Sequence, residues 1–484
     1  MEQKNDIWST SALLGHRTLI YVLFLLGGLM GVYLFLYTGV PQGFLFYLLP
    51  LIFLFVVLCV SFPLLCFFFL YVAAYLITGI TRYMTLPVPM GGIIDLLILF
   101  NFLTISLHYV CGNKLGKIYF TPFLFISILW MFFCFFELFN PVTSFSNWIT
   151  TVRSIGIHIV LFQILVFLNL DSLKKLRSFF TLWGVLVLIA ALKAVGQKYI
   201  GFDSSEAAWL YTSGAHTHII YSGIRYFSFF TDAANFGCHM GLALVVFTIL
   251  AFYEKSINRR GFYIVVVILA TYGMMISGTR AAIAVPFVGF TFFVILLKEW
   301  KLIIAGVFVL ALVFSFFNFT TIGNSNADIR RMRTAFSFSK DASFNVRLEN
   351  QKKMRSFMHG YPFGLGLGSS KHAGEGDMMH GIATDSSFVF VWIETGMIGL
   401  VLYILLCISI VGFGIYYVLA LLKTPTIKGI VAASTSGLAG IMVAGYANEV
   451  LHQMPTGQTV YILMGIIMLS PIIDKQLAHD DQSL

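Results

Sequence analysis

The sequence predicts an all-α protein with many membrane-spanning helices, on three observations. Of its 484 residues, 59% are hydrophobic and 11% are charged, whereas soluble domains carry about 25% charged residues. The mean hydropathy is +0.89. Apolar runs long enough to cross a bilayer, which takes about 20 residues, recur along the whole chain. This composition excludes a water-soluble domain as the main body of the protein.

Short loops with charges, glycines or prolines separate the apolar runs. One uncharged stretch, 44–80, contains Pro50 and Pro63, which either kink a helix or mark a turn. The sequence therefore predicts about 12–14 membrane helices. They lie near 18–38, 43–60, 62–80, 91–110, 118–139, 150–168, 178–199, 232–253, 262–277, 281–297, 302–320, 398–422, 429–447 and 457–473.

Lysine and arginine in the short loops predict the orientation, because cytoplasmic loops carry an excess of both. With these helices, every basic short loop falls on one side, together with Arg17 and Lys475. We therefore expect the N-terminal segment 1–17 and the tail 474–484 in the cytoplasm. The net charge of +9 then indicates orientation and contact with lipid headgroups, and nucleic acid is not an expected partner.

Two large polar loops are expected on the opposite, outer side. Loop 200–231 interrupts the membrane region 18–319, and loop 320–387 separates that region from the C-terminal membrane helices within 388–473. Loop 320–387 is the only sizeable stretch of the sequence with dense charge. Chemistry outside the hydrocarbon is therefore expected there.

Loop 320–387 contains one predicted amphipathic helix, at about 343–359. Asp341 or Ser343 can cap its start, because short polar side chains accept bonds from the free N–H groups of a first turn. Leu348 belongs to its expected apolar stripe. The opposite face is basic, and a merely solvated charged face is the alternative interpretation.

Cysteine and histidine patterns predict neither disulfides nor a metal centre. The six cysteines lie in or beside apolar runs without a CxxC pair, which is typical of small buried side chains. His216 and His218 form a weak metal pattern, and the glycine-rich segment 372–380 favours sugar contact over metal binding. GLGLGSSK at 364–371 follows no predicted strand and is not expected to bind nucleotide. No metal and no cofactor are expected.

Four motifs occur in a definite order along the chain. They are RYFSFFTDAANFG at 225–237, SGTRAA at 277–282, RLENQKKMRSFMHGYPFGLGLGSS at 347–370 and DSSFVFVWIETGMIGL at 385–400. Their order, their shared outer side and the large loop resemble the O-antigen polymerase and O-antigen ligase superfamily of bacterial envelope enzymes. The resemblance covers about 225–400 and the general hydropathy of the chain.

The resemblance implies a GT-C-like bundle with a large periplasmic loop, in the bacterial inner membrane. It implies transfer of an oligosaccharide from undecaprenyl diphosphate to an acceptor sugar at the outer face, without metal or nucleotide sugar. The implied partners are the lipid-linked oligosaccharide and membrane lipid, with a chain-length regulator protein as a further expected partner.

In that superfamily, outer arginines bind the diphosphate. SGTRAA makes Arg280 the first candidate, and Arg225 and Arg347 match two further arginines of the pattern; Arg355 shares the basic helix face with Arg347. Guanidinium suits this role because it binds phosphate oxygens through two hydrogen bonds and keeps its charge. Thr279 can cap the helix that begins at Arg280 and add N–H donors to an anion site. An arginine snorkelling from a helix end is the alternative.

Two polar residues follow Arg225 in the first motif. Asp232 and Asn235 fill an element that the resemblance associates with substrate binding, although Ala234 stands where proline is usual. Glu394, in an apolar helix start, is a third candidate contact. An acid at membrane depth is costly, so it either serves function or makes a structural hydrogen bond to a neighbouring helix.

The acceptor hydroxyl needs a base within hydrogen-bond reach. Asp385 is favoured over His380, Asp232 and Glu394, because it stands at the mouth of a helix that faces the loop. An N-cap role is the alternative for Asp385. Ligases usually present histidine at this position, so a Wzy-type polymerase is favoured over a WaaL-type ligase. The identity of the base stays open.

Three functions are considered. Polymerisation of lipid-linked repeat units is favoured, ligation of finished glycan to a lipid A-core or protein acceptor is the alternative, and transport is third. In the last outer turn, Asn448, Glu449 and His452 either line the same cavity or form a surface turn. A transporter would carry ionisable residues at mid-membrane. The nearest such residues are Asp95, Glu137 and Lys193.

Overall fold

The structure, a computed structural model, is described for residues 40–84, 89–114, 116–220, 223–298, 300–333, 342–371 and 373–482. The helix predicted near 18–38 lies outside these ranges, as do segment 1–17 and Asp341, one of the two predicted caps. The chain divides into two units, Met1–Cys66 with Leu103–Asn113, and Phe67–Phe102 with Lys114–Leu484. All candidate site residues belong to the second unit.

Helices dominate the described residues, which confirms the predicted all-α membrane class. Eleven are long and apolar enough to cross a membrane, and two further apolar helices, Pro50–Ser61 and Arg280–Leu296, are shorter. The α-helices are α1 (Val40–Ser61), α2 (Pro63–Ile80), α3 (Met90–Val110), α4 (Pro122–Phe136), α5 (Phe145–Val152), α6 (His158–Asn169), α7 (Leu173–Tyr199), α8 (Ser204–Tyr211), α9 (Ala215–His218), α10 (Ala233–Tyr253), α11 (Ile257–Ile276), α12 (Ala284–Leu296), α13 (Trp300–Phe319), α14 (Ala327–Arg333), α15 (Ala342–Met358), α16 (Ser387–Tyr416), α17 (Pro425–Ala447) and α18 (Thr456–Gln482).

Short irregular elements complete the described fold. Two-residue strands β1 (Ile219–Ile220) and β2 (Gly223–Ile224) pair antiparallel in loop 200–231. The remaining segments are the 3₁₀ turns Glu137–Phe139 and Arg280–Ile283 and the π-helical segments Arg153–Ile157 and Tyr417–Leu421.

The first unit is helical in its described part. Near the end of α1, the Ser61 hydroxyl donates to Val57 O at 2.9 Å. From α3, His108 Nδ1 donates to Val60 O at 2.7 Å. These bonds satisfy polar side chains that would otherwise lie unpaired in an apolar region.

Three helices form the centre of the second unit. In the apolar windows of α10, α17 and α18, 83%, 89% and 89% of the residues are buried inside the protein, whereas in α13 the share is 0%. Small residues allow this close packing: a Cβ on Gly440 of α17 would lie 2.3 Å from the backbone oxygen of Val285 in α12. By contrast, no residue in the apolar window of α13 is fully buried, and this helix packs against α12 at Gly306, where a Cβ would lie 2.4 Å from Val294 Cγ2.

Several helix starts differ from the prediction, and those of α11 and α16 differ for reasons that the contacts explain. α11 begins at Ile257 instead of near 262, so its first turn includes Arg259, whose Nε donates to Glu254 Oε2 at 3.0 Å. The partner carboxylate lets the helix extend into a charged stretch. α16 begins at Ser387 instead of near 398, and it bends at Gly396, where φ is +67°.

In the described residues of the long loop there are two α-helices, of which only α15 was predicted. Met354 and Met358 of α15 are buried and pack with Ile393 of α16. Leu348, predicted for the apolar stripe, is 38% exposed, so the stripe is wrong at this position. The buried face lies nearer the end of the helix, where Met354 and Met358 pack against α16. The shorter helix α14 carries the arginines of the stretch RRMR.

Candidate functional site

Arg225 joins two loop segments of the second unit. It follows β2, and its Nη2 donates to Thr279 Oγ1 at 2.8 Å while Nη1 donates to Thr217 O at 3.1 Å. Thr279 Oγ1 in turn donates to Ala233 O at 2.8 Å, at the start of α10. The predicted capping role of Thr279 is therefore wrong, because the 3₁₀ turn after it has no side-chain cap and its hydroxyl is bonded elsewhere.

Arg331 packs on the SGTR turn that carries Arg280. Arg280 follows Thr279 directly and is half-buried. Gly278 has φ +58°, a conformation that glycine adopts without steric cost. A Cβ on Gly278 would lie 3.0 Å from Arg331 Cζ, so the Arg331 guanidinium packs against the backbone of this turn. Arg331 of α14 therefore lies beside the turn that carries Arg280.

Arg347 of α15 reaches the same region. Its Nη2 donates to Asn448 Oδ1 at 3.5 Å. Burial lowers the pKa of the Arg225 guanidinium, Asp232 raises it, and the nearby charges of Arg347 and Arg280 lower it further. Like charges at this spacing repel one another, and a bound anion relieves that repulsion. We call the following four half-buried side chains the arginine cluster: Arg225, Arg280, Arg331 and Arg347.

Asp232 and Asn235, the predicted substrate contacts beside Arg225, are both engaged by the protein. Asp232 Oδ1 accepts from the backbone N–H groups of Ala234 at 2.7 Å and Asn235 at 2.9 Å, so it caps α10. Asn235 is buried, and its Nδ2 donates to Met454 O at 2.7 Å. Asn235 therefore ties α10 to the last turn before α18, and Asp232 leaves a negative charge close to Arg225.

His218, at the end of α9 within loop 200–231, is uncharged at neutral pH. Its Nδ1 donates to Gly214 O at 2.9 Å, and its Nε2 accepts from the backbone N–H of Ala233 at 3.2 Å. Burial lowers the pKa of His218 to about 4, against the opposing effects of the Gly214 carbonyl and Asp232. The ring thus links loop 200–231 to the start of α10, while His216 is exposed.

Acid should weaken this link. Because the folded-state pKa of His218 lies below its usual 6.5, the unfolded chain takes up a proton between pH 6.5 and about 4 while the folded protein does not. Stability is therefore present at pH 7 and lost as the pH falls through that window, by on the order of 3 kcal/mol. Thermal unfolding at pH 7 and pH 4.5 should show a smaller acid-induced decrease for His218→Gln than for the wild type.

The neighbouring histidine provides the control for this prediction. His216→Gln removes an exposed ring and should leave the acid-induced decrease in melting temperature as large as in the wild type. An equal decrease in the wild type and His218→Gln would contradict the assignment.

Glu394 of α16 is buried and anchors segment 364–371. Its Oε1 accepts from the backbone N–H of Ser370 at 3.0 Å and from the Ser370 hydroxyl, and its Oε2 accepts from the backbone N–H of Gly368. Backbone of the long loop thus engages both carboxylate oxygens, so the partners lie in a loop and not in the neighbouring helix that was one of the two alternatives.

Gly396 makes room for the same segment. A Cβ on Gly396 would lie 2.0 Å from Pro362 O and 2.5 Å from the backbone nitrogen of Gly364. On the other side, Asn140 Nδ2 donates to Gly364 O at 3.2 Å. Segment 364–371 is therefore a fixed wall beside the bend in α16.

Three predicted site residues, Arg355, His380 and Asp385, are exposed. Ser386 caps α16 by accepting from the backbone N–H of Val389 at 3.3 Å, and Asp385 before it has φ +49°. Within the described ranges, none of the three side chains forms a hydrogen bond or an ion pair with the arginine cluster. The structure thus brings together three of the four predicted arginines, adds Arg331, and leaves these three residues at the surface.

Comparison with known proteins agrees with the motif order. No curated protein matches the chain. Residues 264–404 match the family model described as O-antigen ligase, and this stretch contains three members of the arginine cluster, Arg225 lying before it. Together with the candidate membrane helices, the match supports the O-antigen ligase and polymerase superfamily, and with it a multi-pass bacterial membrane protein with a glycosyltransferase-like role in surface polysaccharide synthesis.

Proposed function

We propose that the protein polymerises undecaprenyl-diphosphate-linked oligosaccharide repeat units into O-antigen or a related surface polysaccharide. The observation that carries this proposal is the convergence of the arginine cluster from four separate segments of the chain. The reaction takes place at the periplasmic face of the inner membrane, with both termini in the cytoplasm. A chain-length regulator protein is the further proposed partner.

The arginine cluster suits the leaving group of such a transfer. A lipid diphosphate is a weak base, so its departure requires stabilisation of negative charge more than protonation. Arginine donors bind phosphate oxygens in pairs, and half-buried positions strengthen the interaction relative to open water. Arg280, two residues after Gly278, and Arg331, which packs on Gly278, are the proposed first contacts, and Arg225 and Arg347 complete the set.

The acceptor side of the reaction is built from the long loop and the start of α16. Asp385 and His380, the base candidates from sequence, are exposed there and accessible to an incoming sugar. Segment 364–371, fixed by Glu394, is the proposed wall against which the glycan lies. Arg355 is exposed on α15 and is proposed to contact the glycan outside the cluster.

Ligation of a finished glycan to a lipid A-core or protein acceptor is the second candidate. The description of the matched family, O-antigen ligase, favours it. The aspartate at position 385, where ligases usually present histidine, favours the polymerase. Both reactions use the same lipid-linked donor and the same arginines, and they differ in the acceptor.

Product length separates the two functions. The purified protein is incubated with a single lipid-linked repeat unit, and the products are resolved by size. A ladder of increasing lengths is the expected result for a polymerase. Product that forms only when a foreign acceptor is added would establish a ligase instead, and absence of any transfer from the lipid-linked donor under both conditions would refute the proposal.

The pair Arg330 and Arg331 offers a matched test of the cluster. Arg331→Ala should raise the Kd for undecaprenyl diphosphate by about 10- to 100-fold, which corresponds to one charge-assisted contact. Arg330→Ala should leave it unchanged, since Arg330 is exposed and donates to Asn324 O at 3.3 Å. The Kd is measured by titrating detergent-solubilised protein. Equal effects of the two substitutions would show that α14 contributes only general positive charge.

A further inference from the structure

The last turn before α18, residues 448–455, is held in place by the start of α16. Ser387 Oγ accepts from the backbone N–H groups of Val450 at 3.0 Å and Leu451 at 3.1 Å, and it donates to Asn448 O at 3.2 Å. The bond from Asn235 to Met454 fixes the other end of the turn. The side chains at its start therefore have set positions relative to the long loop.

In this turn, Glu449 accepts hydrogen bonds from the described residues through one of its two carboxylate oxygens. Its side chain is 12% exposed. Oε2 accepts from Lys371 Nζ at 2.8 Å and from Thr384 Oγ1 at 2.9 Å. Within the described part of the chain, Oε1 accepts no hydrogen bond. An ionised carboxylate has lone pairs for about four donors, so Glu449 retains acceptor capacity on the oxygen that the protein leaves open.

Asn448, the residue before Glu449, carries an unused donor. Its side chain is 7% exposed, and its Oδ1 accepts from Arg347 of the arginine cluster. Among the described residues, its buried Nδ2 has no hydrogen-bond partner. A buried amide N–H without a partner is costly, which points to a ligand that completes it. A donor and an acceptor on adjacent residues match a hydroxyl group, which both accepts and donates.

The other carboxylates proposed as bases are either bonded to the protein or exposed. Asp232 Oδ1 accepts hydrogen bonds from the first turn of α10, and Asp232 Oδ2 accepts from the Thr231 hydroxyl. Both oxygens of Glu394 bind loop backbone. Asp385 is exposed and has no bond to the cluster. Glu449, by contrast, follows the residue that binds Arg347, so it is connected to the arginine cluster through one side chain.

We infer that Asn448 and Glu449 form the acceptor-hydroxyl subsite and that Glu449 is the general base; this rests on the proposed function. The acceptor oxygen forms a bond to the anomeric carbon of the donor sugar. The bond from that carbon to the diphosphate oxygen breaks, and its electron pair leaves on the lipid diphosphate beside the arginine cluster. The hydroxyl proton passes to Glu449 Oε1.

Glu449→Gln tests the assignment, because it retains size and removes the base. At saturating lipid-linked repeat unit, kcat for chain extension should fall by about 100-fold or more. The Kd for undecaprenyl diphosphate should stay within about twofold of the wild type, because the arginines are intact. Glu349→Gln is the matched control: it removes an exposed carboxylate of α15 paired with Lys353, and it should retain full kcat.

A second variant separates a catalytic from a structural carboxylate. Lys371→Gln removes the same ion pair but keeps the Glu449 carboxylate, so at least about a tenth of kcat should remain. Equal losses in Lys371→Gln and Glu449→Gln would overturn the inference, because the ion pair alone would then explain both. More than a tenth of wild-type kcat in Glu449→Gln would also overturn it. If wild-type protein neither binds undecaprenyl diphosphate nor transfers from it, the proposed function itself fails.

Discussion

Arg280→Ala is expected to lower chain extension by about 10²- to 10³-fold while leaving membrane insertion and abundance intact. Arg280 lies directly after Thr279, which is bonded to Arg225, and beside the turn on which Arg331 packs. Its loss removes positive charge from the point where the proposed leaving group develops negative charge. The fold should persist, because the Thr279 hydroxyl holds the turn through its bond to Ala233 O.

The measurement is a ladder assay on purified protein, with abundance read from the same preparation. Arg280→Lys should recover only part of the activity, because lysine restores the charge without the two-pronged donor geometry. Arg330→Ala, in the long loop, serves as the control for loss of one arginine. Full-length polymer from Arg280→Ala would show that the diphosphate role assigned to this residue is wrong.

Gly396→Ala should destabilise the protein by about 3 kcal/mol, which combines the cost of a left-handed conformation for alanine with that of overpacking. The added Cβ would lie 2.0 Å from Pro362 O, which is backbone and cannot rotate away. Glu394 lies two residues before Gly396 and anchors segment 364–371, so this segment, the proposed wall of the site, should shift as well. Chain extension is therefore expected to fall together with the melting temperature.

Gly412→Ala in the same helix supplies the comparison. A Cβ there meets nothing within 4 Å, so the substitution should change stability by no more than about 1 kcal/mol, in the stabilising direction favoured by helix propensity. Thermal unfolding of both variants in one detergent gives the difference. Similar melting temperatures for the two would mean that the bend in α16 relaxes without cost.

The membrane helices were predictable because a long apolar run is a local property of the sequence. Boundaries were predictable only where local composition determines them. α11 extends across Arg259 because Glu254 neutralises that charge. α16 begins early because the helix bends at Gly396 and because the Glu394 carboxylate accepts hydrogen bonds from a loop in another part of the chain. Such contacts depend on packing between distant segments, which hydropathy does not contain.

The residues of the candidate site were likewise predictable only in part. Motif order marked Arg225, Arg280 and Arg347, and the structure brings them together. Arg331 was missed because the stretch RRMR offers three arginines and nothing local distinguishes the one that packs on Gly278. Glu449 was noted only as part of a turn that either lines the cavity or forms a surface, because its partners Lys371 and Thr384 are remote in sequence.

The exposed helix α13 precedes α14, which carries Arg331. A helix with 0% of its apolar window buried has little protein to fix its tilt, and tilt follows the thickness of the surrounding bilayer at modest cost. Arg331 lies on α14, whose Asp328 forms an ion pair with Lys198 of α7. We therefore expect membrane thickness to act on the position of Arg331 through α13, against the restraint of this ion pair, so that acyl-chain length in reconstituted vesicles becomes a variable of substrate binding.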